Sequence, residues 1–444
     1  MSFMKKIILI NIFSFFLVNP SFSENLYQSL ISTYINNKEL NSQREKTKAV
    51  DESLIQSYSI LKPSITGTYN QYDIQNKNQK DDFGSTITDS NLQTQKKSIK
   101  IEQKILQGIP NILATKTEVK ISRNLLKSVE QNVLLKAVVA YTSVLAAQKK
   151  LIITRDNLNL ADRQVELDKS RYERGVIKLS DLAQSESSLA DAKAKFIRSE
   201  NTLAVNEKDF ENVVGYLPTN LRIIDDIELK LPENLKETLK LAISNNPELL
   251  IAKLNYKKSG YLLKGAAEKF APKASISFEV SDNEDISTSV SDRDQTQFEA
   301  KVEIPLYSGG KNYSFYKEKK ALFVSSELDF QNIQNETRKN ATNVWSEYKL
   351  KKSELELAKA QLQAAEIAYE GIVQEYESGT RDTLDVLNSR SLLLIARLNF
   401  ADVLSDEIVS RFKLLHITGN LTALYLKLET KQISPKTNWF RKIF

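Results

Sequence analysis

Few residues in this chain of 444 are of types that could carry out catalysis. Cysteine is absent, so disulfide scaffolds, cysteine-based zinc sites and thiol catalysis are excluded. The single histidine, His416, lies near the end of a predicted helix, where packing or a favourable cation explains it better than a metal ligand. No histidine, carboxylate and nucleophile converge on one motif. We therefore expect no enzyme, no cofactor and no metal site.

Phosphate binding is not indicated either. Gly309, Gly310 and Lys311 invite a phosphate-loop interpretation, but the Gly-x-x-x-x-Gly-Lys-Ser/Thr spacing is missing and Asn312 follows the lysine. We interpret this segment as a turn from a strand into a helix. The formal net charge is only +6, and no basic run is interleaved with aromatic residues. The sequence therefore predicts no nucleic-acid interface.

One group of charged and aromatic residues occurs twice. Arg171–Phe196 reads RYERGVIKLSDLAQSESSLADAKAKF, and Glu375–Phe400 reads EYESGTRDTLDVLNSRSLLLIARLNF. The two segments align without a gap. The matched residues are Tyr172 with Tyr376, Gly175 with Gly379, Asp181 with Asp385 and Phe196 with Phe400. The chain thus carries the same helix–glycine–loop–aspartate–helix joint in two places.

Each residue of the joint also has an ordinary structural explanation. Gly175 and Gly379 follow long helical segments, which is the position of a left-handed C-capping glycine. Asp181 and Asp385 lie near the start of the next helix, where a carboxylate interacts favourably with the helix macrodipole. The arginine and tyrosine of the second joint would alone be a solvated loop cation and a packing residue. Capping and a charged functional site are compatible.

Long helices must position these joints. Asn111–Arg174 and Lys311–Glu370 contain neither proline nor glycine. At 1.5 Å per residue, the first would form a rod of about 95 Å. Pairs of adjacent apolar residues recur every seven positions, as in Leu182-Ala183, Leu189-Ala190 and Phe196-Ile197. A stripe of this width predicts that each helix contacts neighbours on more than one side.

Four short stretches alternate apolar and polar residues instead. They are Ser64–Ile74, Ser98–Leu106, Ala274–Ser281 and Thr296–Leu306. Their period of two predicts strands, separated within each pair by a polar loop, and their length suits a membrane β-strand. Four strands cannot close a barrel, and lipid does not tolerate an open sheet edge. Either the sheet is soluble or several copies of the chain share one barrel.

The first residues have the pattern of a secretory signal, with Lys5 and Lys6 before an apolar run and small residues at Ser21 and Ser23. The remaining chain has no run that we assign as a membrane helix. Its two halves repeat the order helix, strand, strand, long helix, joint, helix, which predicts a tandem duplication. The predicted division is 1–23 signal peptide, 24–217 first repeat, 218–232 linker, 233–420 second repeat and 421–444 C-terminal tail.

These segments resemble the TolC family of outer-membrane channel proteins. The resemblance rests on YESGTRDTLDVL at Tyr376–Leu387, YERGVIKLSDL at Tyr172–Leu182, IPLYSGG at Ile304–Gly310 and ENLYQSL at Glu24–Leu30, and it covers essentially residues 24–420. It implies a mainly α chain of long coiled helical hairpins, an α-barrel. The four antiparallel strands would contribute to a trimeric twelve-stranded β-barrel.

The resemblance also implies a function and partners. The expected protein is a homotrimer that lies in outer-membrane lipid, extends into the periplasm of a Gram-negative bacterium and has no catalytic activity. It would be the exit duct of a tripartite efflux pump or type I secretion system. Its partners would be a periplasmic adaptor, or membrane fusion protein, and an inner-membrane transporter, without nucleic acid.

In this family the joints are the periplasmic tips that close the tunnel. By resemblance, Arg381 ties the inner coil to its neighbours, Tyr376 belongs to the same tie and Asp181 is its acidic partner. Asp385 matches one aspartate of the ring that narrows the tunnel. The second ring aspartate falls on Asn388, which halves the carboxylates of the ring. The remaining difference in the predicted gate is Ser180, which replaces a threonine.

Two other classes of protein remain as alternatives. A periplasmic adaptor of an export machine is also secreted and carries a helical hairpin, but it needs many short strands where this sequence predicts four. A coiled-coil scaffold protein would not need amphipathic strands of membrane length.

Overall fold

A computed structural model describes residues 25–430 apart from 79, 81, 87–89, 106, 220, 223–228 and 288–289. The predicted signal peptide, Leu106 and positions 431–444 of the predicted tail lie outside the described residues, as does much of the predicted linker.

The two halves of the chain contain the same order of elements. The first half comprises α1 (Leu26–Asn36), α2 (Lys38–Tyr58), a 3-10 turn (Ser59–Leu61), β1 (Ser64–Asn76), β2 (Ser90–Ile105), α3 (Ile109–Glu173) and α4 (Leu179–Val214). The second comprises α5 (Leu235–Asn245), α6 (Pro247–Glu268), β3 (Lys273–Ser287), β4 (Val290–Glu303), α7 (Lys311–Glu377) and α8 (Thr383–Ile417). The mainly helical fold class with four strands is confirmed.

The same side-chain cap starts the second helix of each half. Asn37 accepts hydrogen bonds from the first free backbone N–H groups of α2 at 3.0 and 3.2 Å. Asn246 does the same for α6, at 3.0 and 3.2 Å, and Pro247 follows at the first helical position. Because Pro has no N–H to satisfy there, this position favours it. The Asn-Asn-x-Glu-Leu sequence of both segments therefore specifies a helix start.

The strands form one antiparallel sheet in the order β1-β2-β3-β4. The central pairing, between β2 and β3, joins the two halves of the chain and places Ile99 opposite Val280 and Ile101 opposite Phe278. β1 and β4 are the two edges, and each pairs on one side only within the chain. Both edges therefore leave rows of backbone donors and acceptors available for pairing.

All four strands are longer at their polar ends than the sequence predicts, and β1 continues to Asn76 rather than Ile74. β2 begins at Ser90 rather than Ser98, β3 continues to Ser287 rather than Ser281, and β4 begins at Val290 rather than Thr296. The predicted polar loops are thus wrong over much of their length, because backbone pairing needs no apolar alternation. Ion pairs connect these polar ends, as between Lys97 Nζ and Glu284 Oε1 at 2.7 Å.

At the other end, β4 stops at Glu303 rather than the predicted Leu306. Pro305 follows after one intervening residue, Ile304, and a proline has no N–H to continue a strand ladder. Gly309 and Gly310 then adopt φ angles of 61° and 78°, and Lys311 begins α7. The interpretation of this segment as a strand-to-helix turn is confirmed.

Toward the ends that join the helices, the sheet has one apolar and one polar face. The pairing register places on one face Ile65, Tyr69, Ile99, Ile101, Ile276, Phe278, Val280, Phe298, Ala300 and Val302. The opposite face carries Lys96, Lys100, Glu102, Glu279, Glu299 and Lys301. The apolar side chains are not covered by the chain, since Phe298 remains 68% and Val302 66% exposed.

The chain divides into two compact units, and each takes segments from both halves. The first contains Met1–Thr33, Ala137–Glu228 and Ala358–Ser405; the second contains Tyr34–Lys136, Leu229–Leu357 and Asp406–Phe444. Tyr141 packs against Phe210 in the core of the first unit, with ring centroids 6.4 Å apart. Leu40, Leu134 and Leu415 are buried in the core of the second. The predicted repeat boundaries remain predictions.

Among the described helices, α3 contains a stretch long and apolar enough to cross a membrane by length and composition. The expectation that the chain has no such run is therefore wrong for α3. The same helix carries fully buried side chains, among them Val133, Ala137 and Val144. Its apolar composition therefore also serves packing within the chain.

Gly419 is expected to be intolerant of a side chain. Its φ is 73°, and a Cβ would lie 2.2 Å from the backbone oxygen of Asn245. We predict that Gly419→Ala lowers the free energy of unfolding by about 3 kcal/mol, because left-handed strain adds to the clash. Thermal unfolding followed by circular dichroism measures the loss. Gly371→Ala is the control, since that helical position faces open space and alanine favours helix; equal midpoints for the two variants would contradict the prediction.

Candidate functional site

Both joints end their first helix with the same backbone motif. Gly175 and Gly379 have φ angles of 72° and 82°. The residue after each glycine donates its N–H to the carbonyl five positions earlier, Val176 to Arg171 at 2.9 Å and Thr380 to Glu375 at 2.9 Å. This is the Schellman arrangement that satisfies the last helical carbonyls and favours glycine. The repeated glycine therefore sets the same reversal of the chain twice.

The second helix of each joint starts with different side chains. In the first joint Lys178 offers no acceptor, and the carboxylate of Asp181 accepts the backbone N–H of Lys178 at 3.2 Å. Ser180 donates its hydroxyl to the same carboxylate at 3.3 Å. In the second joint Asp382 caps the helix by accepting the N–H of Asp385 at 3.0 Å. The carboxylate of Asp385 is thereby left to interact with other groups.

Arg381 bridges the two helices of the second joint. Its Nε lies 2.7 Å from Glu375 Oε2, and its Nη1 lies 3.5 Å from Asp385 Oδ2. The hydrogen bond to Glu375, together with both negative charges, raises the pKa of the Arg381 guanidinium. In the described part of the chain Arg381 does not pair with Asp181, so their predicted tie remains a prediction for contacts between copies.

The predicted ring residues lie on one exposed face of α8. Asp385 and Asn388 are three positions apart, which places them next to each other on a helix surface. Asn388 is exposed, and the side chain of Asp385 keeps 38% of its accessible surface. Leu392, one turn further, is also exposed. Among the described residues, no segment of the same chain covers this face, and the exposed Asp382 lies three positions before Asp385.

Next to the second joint lies a buried carboxylate, Asp168 of α3, which is 0% exposed. Tyr376 of α7 donates its hydroxyl to Asp168 Oδ1 at 2.6 Å. Gln164 Nε2 lies 3.1 Å from both carboxylate oxygens, and Ser185 of α4 donates to Oδ2. Thr383 of α8 lies 3.3 Å from the Tyr376 hydroxyl. Side chains of four helices thus converge on one charge, and we call this group the Asp168 cluster.

Tyr376 is held on two sides in this cluster. The guanidinium of Arg171 lies 4.0 Å from the centroid of its ring, which is a cation–π contact. Burial and the hydrogen bond to Asp168 raise the pKa of the Tyr376 hydroxyl. The hydroxyl therefore stays a donor, and a buried carboxylate with several donors is a stable arrangement whose loss of one donor is costly.

A second buried contact joins the same helices one turn further along. Arg390 of α8 is 5% exposed and donates through Nη2 to Ser188 of α4. Burial lowers the pKa of the Arg390 guanidinium, and the nearby Tyr369 and Asp168 partly compensate. The positive charge of Arg390 and the negative charge of Asp168 thus favour each other at longer range than an ion pair.

The two joints differ most in their tyrosines. Tyr376 is 4% exposed, whereas Tyr172 at the matching position is 41% exposed. The alignment of the joints places Ile372 opposite Asp168 and Ala368 opposite Gln164. Neither apolar residue can accept a hydroxyl proton. The Asp168 cluster therefore has no counterpart around the first joint.

Sequence reasoning missed Asp168, although the sequence contains a signal for it. Every seventh residue of α3 from Ala140 to Asp168 is buried: Ala140, Ala147, Thr154, Ala161 and Asp168. A carboxylate on a buried heptad position requires partners. The partners themselves come from α4 and α7 and could not be assigned from a single helix.

His416 belongs to the second compact unit. It is half-buried, and its Nε2 lies 2.7 Å from Asn132 Oδ1. Burial lowers the pKa of His416, so the ring is neutral at pH 7 and packing explains it better than a cation at a helix end. Among the residues that the structure describes, no group of three or more histidines and carboxylates could hold a metal ion.

Comparison with known proteins agrees with this architecture. The family model "Outer membrane efflux protein" matches residues 31–215 and 238–420. Outer membrane efflux protein BepC of Brucella suis is 27% identical over 421 residues, which cover 94% of this chain and 90% of that protein. Outer membrane protein TolC of Vibrio cholerae is 22% identical, over 66% of this chain and 69% of that protein.

Solved structures share the fold. The CmeC outer membrane channel of Campylobacter jejuni aligns with a TM-score of 0.79 at 16% identity, over 89% of this chain and 86% of that chain. The outer membrane protein VceC of Vibrio cholerae aligns with a TM-score of 0.76 at 14% identity, over 89% and 96%. The predicted resemblance, the channel function at the level of the family and the outer-membrane location are confirmed. The chain belongs to the outer membrane efflux protein family, to which its paired helix joints and four-stranded sheet had pointed.

Proposed function

We propose that three copies of this chain form the outer-membrane exit duct of a tripartite efflux pump or type I secretion system. One observation carries the proposal: a four-stranded sheet with an exposed apolar face has two unpaired edges, β1 and β4. In hydrocarbon each unsatisfied backbone group costs several kcal/mol, so an open edge must pair. Pairing β4 of one copy with β1 of the next closes the sheet without any change within the chain.

Three copies give twelve strands, above the minimum of about eight for a membrane barrel. The apolar face would then contact lipid, and the face with Lys100, Glu102, Glu299 and Lys301 would line a water-filled interior. Alternation of this kind is the signature of barrels that enclose an aqueous channel. A soluble coiled-coil scaffold would leave the apolar face unexplained.

The duct conducts passively, and the energy comes from its partners. The family consists of channels rather than enzymes and acts with adaptors and inner-membrane transporters. Two relatives are named for protein secretion, the proteases secretion protein PrtF of Dickeya chrysanthemi and the alkaline protease secretion protein AprF of Pseudomonas aeruginosa. We carry over the class of partner, a periplasmic adaptor and an inner-membrane transporter. The two repeats, 24–217 and 233–420 with linker 218–232, would each supply half of the strands and helices.

The gate lies at the helix joints. Asp385 and Asn388 from three copies would surround the narrow passage, and one ring of carboxylates sets its local field. Arg381 and Tyr376 hold the second joint, and Asp181 and Ser180 offer acceptors on the first joint of a neighbouring copy. The glycines of both joints fix the reversals that bring these side chains together.

The Asp168 cluster stabilises this gate through contacts within a single chain. It ties α7 and α8 to α3 and α4 within one chain through a buried carboxylate. The contacts around Arg381 are exposed and therefore weaker. Opening would break exposed contacts more readily than the Asp168 cluster.

The proposal is tested by the assembly state. We expect the protein purified from outer membranes to be a trimer in detergent, by size-exclusion chromatography with light scattering, and to form conducting pores in planar bilayers. A monodisperse monomer in detergent-free buffer, without conductance, would overturn the proposal.

Reversing the charge of Arg381 should loosen the closed gate. Arg381→Glu places a carboxylate beside Glu375 and Asp385, so repulsion replaces two attractions. We expect the resting conductance of single channels to rise at least about twofold, because both exposed contacts of modest strength are lost in each of the three proposed copies. Arg174→Glu is the control, because Arg174 lies in the first joint and its Nε donates to the backbone carbonyl of Ser170 at 3.1 Å, with no ion pair to another described residue. Equal conductance of Arg381→Glu and the wild type would count against the tie.

Removing one hydroxyl tests the Asp168 cluster. Tyr376→Phe keeps the ring beneath Arg171 and deletes the donor to Asp168, leaving a buried carboxylate short of one hydrogen bond. We predict a loss of about 1–3 kcal/mol in the free energy of unfolding, measured by denaturant titration. Tyr172→Phe, the matched change at the exposed tyrosine, should stay within about 0.5 kcal/mol of the wild type. The cluster has no stabilising role if the two variants unfold alike.

A further inference from the structure

A groove runs along α6, between α3 and Phe323 of α7, in the second compact unit. Its volume is about 950 Å³, within the range of ligand-binding clefts. Its lining on α6 extends from Leu250 to Lys264, and at 1.5 Å per residue this is roughly 20 Å. We call it the α6 groove.

The floor of the α6 groove is apolar and built around stacked rings. Tyr256 stacks on Phe323 with ring centroids 5.1 Å apart. A Cβ on Gly260 would lie 3.3 Å from the edge of Phe323, so glycine lets this ring approach α6 closely. Leu254 and Leu263 continue the apolar lining along the helix. The floor can therefore accept a hydrocarbon chain but gains nothing from a polar one.

The rim of the same groove is strongly basic. Five of the lining residues are cations, and none of the described lining residues is a carboxylate; the cations are Lys120, Arg123, Lys253, Lys257 and Lys264. Arg123 Nη2 lies 3.5 Å from Asp51 Oδ1. The Nζ atoms of Lys257 and Lys264 lie 6.0 and 5.9 Å from the centroid of the Tyr261 ring between them. An apolar floor with a cationic rim matches an amphiphile that has an anionic head.

The position of α6 next to β3 in the chain indicates that this amphiphile is a membrane lipid. α6 ends at Glu268, and β3, with its apolar face, begins at Lys273. Lys264 therefore lies within ten residues of the strand that the proposed barrel places in lipid. Basic side chains next to a membrane surface attract anionic headgroups, and their stems lie along apolar surface.

We propose that the α6 groove binds an anionic phospholipid, with an acyl chain against Tyr256, Leu254 and Phe323 and the phosphate between the lysines. The inference rests on the proposed membrane position of the sheet, but lipid binding does not require an open channel. Failure of the two proposals is therefore distinguishable, because conductance tests the duct and the following measurement tests the groove.

Because the chain contains no cysteine, a single introduced cysteine can be labelled specifically. Asn124→Cys introduces one thiol at the groove, and a fluorophore attached there reports lipid contact in bilayer nanodiscs of phosphatidylcholine. A nitroxide quencher is carried either by added phosphatidylglycerol or by added phosphatidylcholine. We expect quenching by the anionic lipid at mole fractions at least about tenfold lower than by the zwitterionic one. Equal quenching by both lipids would overturn the proposal.

A matched pair of variants separates the groove from the overall charge. Lys253→Glu with Lys257→Glu reverses two rim charges four positions apart and should abolish the preference for the anionic lipid. Lys236→Glu with Lys240→Glu makes the same change at the same spacing on exposed positions of α5, and should keep the preference. Equal loss in both double variants, or quenching by a nitroxide-labelled acidic peptide without quenching by the lipid, would refute lipid binding in the groove.

Discussion

Backbone hydrogen bonding at the sheet edges constrains everything else in this chain. Four strands pair with one another, and the outer sides of β1 and β4 are left without partners within the chain. The apolar face is likewise uncovered. A solitary copy cannot satisfy both in lipid, whereas a ring of copies can. The antiparallel hairpins, contributed one by each half, give every copy the same pair of edges. The strand order therefore supports the proposed assembly.

The sequence determined much of this fold in advance. Periodicity located every strand and both long helices, because alternation and heptads report which face is apolar. It misplaced strand ends, since Ser90–Lys97 pairs with β1 without an apolar pattern. Glycine and aspartate located the joints. The Asp168 cluster was not predicted. A carboxylate on a buried heptad position indicates that it must have partners, but Tyr376 and Ser185 contact it only because separate helices pack together.

The two joints repeat the same sequence pattern, but their side chains make different contacts. The backbone of the two joints is nearly the same, with glycine in the left-handed region at 72° and 82°. Their charged residues differ. Lys178 of the first joint matches the capping Asp382 of the second, and Asp168 before the first joint matches Ile372 before the second. One joint is anchored inside its own chain, and the other presents an exposed tyrosine and a serine–aspartate pair. Duplicated segments can thus keep the same backbone conformation while their side chains take on different roles.

The central pairing of β2 with β3 also bears on the order of folding. Its partners, such as Ile101 and Phe278, are separated by all of α3 and α4 and by the two shorter helices that follow, α5 and α6. Contacts this distant in sequence close slowly, because a long loop must lose its freedom before the pairing rewards it. The first hairpin, β1 and β2, is synthesised long before the second. Until β3 is made, the edge of β2 is unpaired and the apolar face of the hairpin is uncovered. Such a chain depends on being kept apart from its neighbours until the last strand arrives.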